Sequence, residues 1–276
     1  MLETGYEAST PTGDTLIRRF LVNMAASTAS PVTAMGGRAL EREEFVAADL
    51  GRPAAYFNWA TLRRPLAPPS TERVIRELNA FYDAVARNTG GTFYLCSAWP
   101  TPDLRPSGWS LDGHPPLLYR PAGGAPPPAP AGLRVAEVRD ATALAAAERA
   151  LLEGFEVTEL LPVVAGSLLD ERVLRDPRLR LWVGWEGEQP VSAAATFIEA
   201  GLNQVTAVAT VLAARRRGYG EALTWRATLA DPSLPAALIA SDPGRPVYER
   251  MGYIPITRFT LWHRTREPET GAPPSG

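Results

Sequence analysis

The run Val205-Thr206-Ala207-Val208-Ala209-Thr210-Val211 carries no charge and is rich in β-branched residues, enough for one buried strand. Leu212-Ala213-Ala214 turns the chain. Arg215-Arg216-Arg217-Gly218-Tyr219-Gly220-Glu221-Ala222-Leu223 then opens a helix whose apolar positions continue through Trp225 and Leu229. A strand that stops at a glycine-spaced turn and runs straight into a helix leaves several backbone N–H groups unpaired. The helix dipole adds positive potential at the same spot. Such a turn is a pocket for an anion, above all a phosphate.

The kind of phosphate ligand is narrowed by what is missing. A nucleoside-triphosphate loop needs a lysine after its glycines, and all 28 basic residues here are arginine. A dinucleotide turn needs three spaced glycines and a later acidic residue, and only Gly218 and Gly220 are present. What the residues spell is Arg-x-x-Gly-x-Gly, from Arg215 to Gly220. Downstream, Ala236-Ala237-Leu238-Ile239-Ala240 reads as a short buried strand, followed by Ser241-Asp242-Pro243-Gly244 and Pro246-Val247-Tyr248-Glu249-Arg250-Met251-Gly252-Tyr253. Together these segments resemble the acetyl-coenzyme-A loop and the closing strand–helix–glycine–aromatic sequence of the GNAT superfamily of N-acetyltransferases. Leu212 departs from the usual pattern, in which a proline is common.

The resemblance implies an α/β (α+β) GNAT fold, a mixed and mostly antiparallel central sheet flanked by helices. It implies acetyl-CoA as acyl donor, held by Arg215, Arg216, Arg217, Gly218, Tyr219, Gly220, Glu221 and Ser241. Backbone N–H groups of Val208, Ala209 and Thr210 would polarise the thioester carbonyl, and Tyr248 would protonate the leaving thiolate. Glu199, ending the preceding strand in an uncharged run, matches the place where family members often keep a carboxylate base. A solvated turn residue is an equal reading of it. His114 is the other candidate base, because histidine titrates near neutrality; in Gly-His-Pro-Pro such a residue is more often a structural hydrogen-bonder. His263, on the final strand, and Cys96, in an apolar strand, read as structural. No metal site is expected.

In chain order, Leu16 to Met24 is helix-compatible, and the small residues from Ala25 to Gly37 break it. Phe45–Asp49 and Ala55–Leu62 read as a hairpin. Ser70 or Thr71 caps an amphipathic helix with Val74, Ile75, Leu78, Phe81, Tyr82 and Val85 on one face, ended by Gly90-Gly91. Thr92–Cys96 is a strand. This order echoes a GNAT core, but Leu62-Arg63-Arg64-Pro65-Leu66 stands where a phosphate loop belongs. Residues 1–121 therefore read as a degenerate GNAT-like domain without a coenzyme site. Residues 122–132, rich in proline and glycine, form an extended linker. Residues 133–266 form the catalytic domain. In it Leu133–Val138 is a strand, and Asp140 or Thr142 caps the helix Ala143–Leu152. A second helix covers about 160–174, and a three-strand meander leads to the loop. Residues 267–276 read as a disordered tail.

The formal net charge of −2 gives no reason to expect a nucleic acid or an anionic membrane as partner. One cysteine excludes an intrachain disulfide, and no apolar run approaches a membrane span. The expectation is a cytoplasmic acetyltransferase acting on a small-molecule or peptide amine, with a homodimer left open. Two rival readings remain: a non-catalytic acetyl-CoA sensor or partner module, and an acyltransferase for a larger acyl-CoA, which the small Ala193, Ala194 and Ala195 would allow.

Overall fold

The computed structural model describes residues 16–84 and 91–266. Val85 and Gly90, the N-terminal residues 1–15 and the tail 267–276 lie outside the described residues.

Helix α1 (Leu16–Ala34) runs well past the break anticipated after Met24. The small residues there include strong helix-forming alanines. The Ser27 and Thr28 hydroxyls donate back to Met24 O, at 3.1 and 2.7 Å, so they do not compete with the helix. Gly36, at φ +88°, takes the left-handed turn that ends it. Strands β1 (Arg38–Glu41), β2 (Phe45–Asp49) and β3 (Asn58–Leu62) follow as an antiparallel meander. Residues 55–57, read from sequence as strand, form a single 3-10 turn instead. Helix α2 (Ser70–Asp83) buries Val74, Ile75, Leu78 and Tyr82. Its start has no side-chain cap, because Ser70 Oγ donates to Ala67 O.

Strands β4 (Gly91–Ser97), β5 (Ser110–Gly113) and β6 (Pro116–Arg120) precede the linker, and β7 (Leu133–Glu137) follows it. Helix α3 (Ala141–Gly154) is capped by Asp140, whose carboxylate accepts from Ala143 N at 2.8 Å. The second helix predicted over 160–174 does not form; short 3-10 turns at Thr158–Leu160 and Glu171–Arg175 flank an irregular loop. The buried Glu148 carboxylate accepts the N–H groups of Gly166, Leu168 and Leu169 at 2.7, 2.5 and 2.9 Å, giving that backbone partners other than a helix. Next come β8 (Leu179–Glu186), β9 (Gln189–Glu199), β10 (Leu202–Thr210), α4 (Tyr219–Thr228), β11 (Ala236–Ile239), α5 (Arg245–Arg250), β12 (Ile254–Arg258) and β13 (Thr260–Arg266).

These strands form two sheets, ordered β1-β2-β3-β4-β13-β5 and β12-β6-β11-β10-β9-β8-β7. The six strands β1-β2-β3-β4-β13-β5 repeat the pairing of β8-β9-β10-β11-β6-β12. Each set has an antiparallel meander, one parallel step, then two antiparallel additions. The chain is thus two copies of one architecture, as the sequence suggested, but the copies do not part at the linker. Strand β6, from before it, lies between β11 and β12; β13, from the far end, lies between β4 and β5. The two crossing segments lie side by side, with Phe259 N donating to Pro115 O at 2.9 Å.

Helix α1 belongs to the first copy and clasps the second. Buried Asn23 directs Nδ2 at Phe197 O, Glu199 O and Leu202 O, at 3.0, 2.9 and 3.1 Å, around the β9–β10 turn. One core cluster joins Val32, Met35 and Leu50 to Leu144, Leu152 and Val183 across the two copies.

Candidate functional site

β10 and β11 run parallel but pair only at Asn203–Ala236 and Gln204–Ala237. Beyond Gln204 they separate. The register of β10 against β9 slips between Thr206 and Ala209, and Ala207 adopts a φ of +49°. Such a bulge bends and twists its strand, which opens a gap on the β11 side. Val211 N donates to Val191 O at 3.0 Å, so ladder alternation turns Ala209 toward β9 and the Thr210 N–H toward the gap. Of Val208, Ala209 and Thr210, Ala209 is therefore occupied by the ladder.

The turn that follows is built for an anion. Arg216 and Gly218 both take left-handed conformations, at φ +62° and +79°. No acceptor among the described residues takes the backbone N–H groups of residues 216–221; the next one, Ala222 N, donates to Gly218 O at 3.0 Å. Gly220 permits a tight approach to the strand, since an added methyl would sit 2.9 Å from Thr210 Oγ1. Gly154 at the end of α3 does the same from the other side, 2.9 Å from Ala209 Cβ.

The three arginines divide their work. Arg215 donates to Thr210 O at 3.1 Å and Gly154 O at 2.8 Å and pairs with Glu156 at 3.1 Å, stapling the turn to β10 and α3. Arg217 pairs with Glu186, which also accepts the Tyr219 hydroxyl at 3.1 Å and is held below the usual carboxylate range, chiefly by Arg217. Arg216 has no ion-pair partner among the described residues and is exposed. The Tyr219 side chain is buried, so this residue can offer a ligand only its backbone. Glu221 lies 3.8 Å from Arg250, and Ser241 Oγ accepts Gly244 N at 3.2 Å.

Tyr248, on α5, packs with Val208, Val205 and Leu238 in one cluster, which sets it beside the gap. Its ring meets Tyr253 edge-on at 6.0 Å, and burial raises the pKa of its phenol, keeping it protonated. The hydroxyl has no hydrogen-bond partner among the described residues.

Glu199 does not join this group. It sits at the β9–β10 turn beside Leu202, six residues from Val208, or roughly 20 Å along a strand at ~3.3 Å per residue. Its carboxylate is fixed by Arg178 at 2.8 Å and by Ala200 N at 3.1 Å, which lower its pKa. A carboxylate so stabilised and so distant is not a base for this site. His114 is exposed, and its carbonyl accepts from Arg258 at 2.6 Å. It edges a depression of about 540 Å³ that also contains Leu111 and Trp262, on the α2 side of the first sheet and away from the turn. Cys96 is fully buried, which pushes its thiol well above the ordinary range and leaves it inert. Among the described residues no cluster could hold a metal ion.

Facing the second copy stand residues of the first that no motif marks. Trp59, Tyr94 and His263 occupy one row across β3, β4 and β13, with ring centroids 5.3 and 6.3 Å apart. Asp112 on β5 extends the row, its Oδ1 3.2 Å from His263 Nδ1. Tyr56, in the turn before β3, packs its ring against Phe155 of the second copy, with centroids 4.4 Å apart and the planes tilted by 32°. They come from separate segments that only the folded sheets assemble, so local spacing carries no sign of them.

No family model matches the sequence, and no curated protein matches it. Solved structures do. A GCN5-related N-acetyltransferase from Kribbella flavida superposes with a TM-score of 0.58 at 22% identity, over 92% of this chain and 96% of that one. A GCN5-related N-acetyltransferase-like protein from Streptococcus suis gives 0.51 at 15%, over 91% and 100%. A GCN5-related N-acetyltransferase from Sphaerobacter thermophilus gives 0.51 at 15%, over 83% and 79%. At these identities the likeness is one of fold, and it extends through both halves of the chain.

Proposed function

We propose that this chain, which has the GNAT fold in both of its halves, transfers an acetyl group from acetyl-CoA to an amine. One observation carries the reading: a run of unpaired N–H groups, residues 216–221, opens at a helix start beside a gap between two splayed parallel strands, with the free hydroxyl of Tyr248 at that gap. The unpaired N–H groups and the arginine side chain of Arg216 suit a pyrophosphate. The open edge of β10 offers backbone partners to an extended, amide-bearing arm. The residues present thus fit the donor.

In the proposed reaction the Thr210 N–H, aimed into the gap, polarises the thioester carbonyl. A neutral amine forms the C–N bond and the C–S bond breaks. Tyr248 gives its proton to the departing sulfur and regains one from the new amide nitrogen through solvent, so proton and electron pairs balance.

The test is Tyr248→Phe, which keeps the ring and removes the donor. Acetyl-CoA should stabilise both proteins equally in a thermal shift, while thiol release on an accepted amine falls about 10²–10⁴-fold with KM for acetyl-CoA unchanged. Turnover at the wild-type rate refutes the role of Tyr248. Tight acetyl-CoA binding by the wild type with no turnover on any amine favours a non-catalytic sensor.

A further inference from the structure

Tyr56 combines two properties that rarely coincide. It leaves 54% of its surface to solvent, yet protein atoms around its hydroxyl push the phenol up to about 12, with Tyr94, Asp112 and Tyr248 adding to the effect in that order. Tyr94 is shifted the same way, by burial and then by Asp112. Tyr56 rests on Phe155 of the second copy, next to Gly154, whose backbone lies close against Ala209 and Thr210 of the splayed strand, and Trp59, three residues on, begins the aromatic row that ends at Asp112; a cleft between the two copies thus opens on the gap that Tyr248 borders.

Its walls are furnished for a ligand. The hydroxyls of Tyr56, Tyr94 and Tyr248 have no hydrogen-bond partner among the described residues. On the same row, Trp59 Nε1 and His263 Nδ1 are buried without one, although Asp112 Oδ1 lies 3.2 Å from the latter. Buried polar atoms are paired as a rule, so Trp59 Nε1 and His263 Nδ1, two exceptions on one row, can serve a ligand, as can the tyrosine hydroxyls beside them. The row contributes aromatic faces and one carboxylate. That combination attracts a cation by its negative ring faces and by Asp112, and it accommodates an apolar body.

We infer that the cleft walled by Tyr56, Tyr94, Asp112 and Tyr248 is the acceptor subsite, and that it takes an amine carried on an aromatic or alkyl body without a negative charge. This rests on the acetyltransferase reading above. The ammonium is drawn in beside Asp112 and releases one proton to solvent before the neutral nitrogen attacks. An acidic amine is repelled by the same carboxylate.

The experiment titrates 2-phenylethylamine, hexylamine and glutamate into the full chain by calorimetry, with coenzyme A present, and follows acetyl-CoA separately by thermal shift. The expected order is 2-phenylethylamine, then hexylamine, with glutamate not binding. Tyr56→Ala and Asp112→Asn should each weaken 2-phenylethylamine by tenfold or more and leave the acetyl-CoA shift intact. Tyr56→Phe, which keeps the ring on Phe155, should retain most of the binding. Unchanged affinity in both weakening variants, glutamate binding above hexylamine, or no binding by any of the three overturns the subsite. Loss of the acetyl-CoA shift in the wild type, with amine binding intact, overturns the donor assignment and leaves the cleft standing.

Discussion

Arg215 and Arg216 are neighbours in one motif, but the structure gives them opposite duties, and alanine at each position separates the two. Arg215 holds two backbone carbonyls, Thr210 O and Gly154 O, and pairs with Glu156. A charge-assisted hydrogen bond contributes up to ~3 kcal/mol when buried; with the Arg215 side chain 43% exposed, about 1 kcal/mol for each is the better figure. The pair with Glu156, itself 61% exposed, adds at most about 0.5 kcal/mol. Arg215→Ala should therefore cost about 2 kcal/mol of stability in the ligand-free protein, a fall in Tm of roughly 4–8 °C for a chain of this size. Arg216 holds nothing, so Arg216→Ala should leave the ligand-free Tm within about a degree. Its loss should instead weaken acetyl-CoA about tenfold, by removing one phosphate contact of ~1.4 kcal/mol. Because that contact is exposed, the affinity gap between wild type and Arg216→Ala should narrow in high salt. Differential scanning fluorimetry and calorimetric titration at two salt concentrations read all of these. If Arg215→Ala leaves the ligand-free Tm unchanged and lowers only affinity, Arg215 is a phosphate ligand and the division of labour is wrong.

Two further outcomes follow from the packing. Asp176, hydrogen-bonded to Arg178 and Ser30, has its pKa lowered to about 2 from an ordinary 3.8, chiefly by Arg178, so it contributes stability above about pH 4 that disappears as pH falls toward about 2; urea midpoints of Asp176→Asn over that range should vary less with pH than those of the wild type, and parallel profiles would count against it. At Gly154, alanine gains about 1 kcal/mol of helix propensity but puts its methyl 2.9 Å from Ala209 Cβ and 3.0 Å from Thr210 N; overpacking of ~1–3 kcal/mol should prevail, and a Gly154→Ala protein more resistant to urea than wild type would disprove that close approach.

The parts of the site legible in the sequence are those whose chemistry is contiguous. Residues 205–220 carry strand, turn and helix start in one stretch, and the structure forms them as β10, a 3-10 turn and α4. The meander β8-β9-β10 was equally readable, because each of its turns joins neighbours. What the sequence hid is non-local. The four residues from Glu41 back to Arg38 pair as β1 only because β2 offers an edge. Leu117 and Leu118, in a proline-flanked run too short to announce a strand, become one between β11 and β12. Glu199 looked like a base because it is a lone carboxylate in an apolar run, and Arg178, 21 residues away, decides otherwise. Ala25 to Gly37 reads as a break because small residues suit loops and helices alike; α1 is helical through Ala34, with Val32 buried and packed against the second copy.

The exchange of β6 and β13 sets a timetable for synthesis. When β4 and β5 leave the ribosome, the strand that belongs between them, residues 260–266, is still roughly 150 residues from being made. At about 5–20 residues per second that is an interval of roughly 8–30 s. Throughout it β4 keeps one backbone edge without a partner, and unpaired edges invite other chains. The usual order, in which the first-made half of a protein is finished first, is not open to this one. Its two halves close together, when Phe259 settles against Pro115 and the last strand fills the vacancy in the sheet begun earliest.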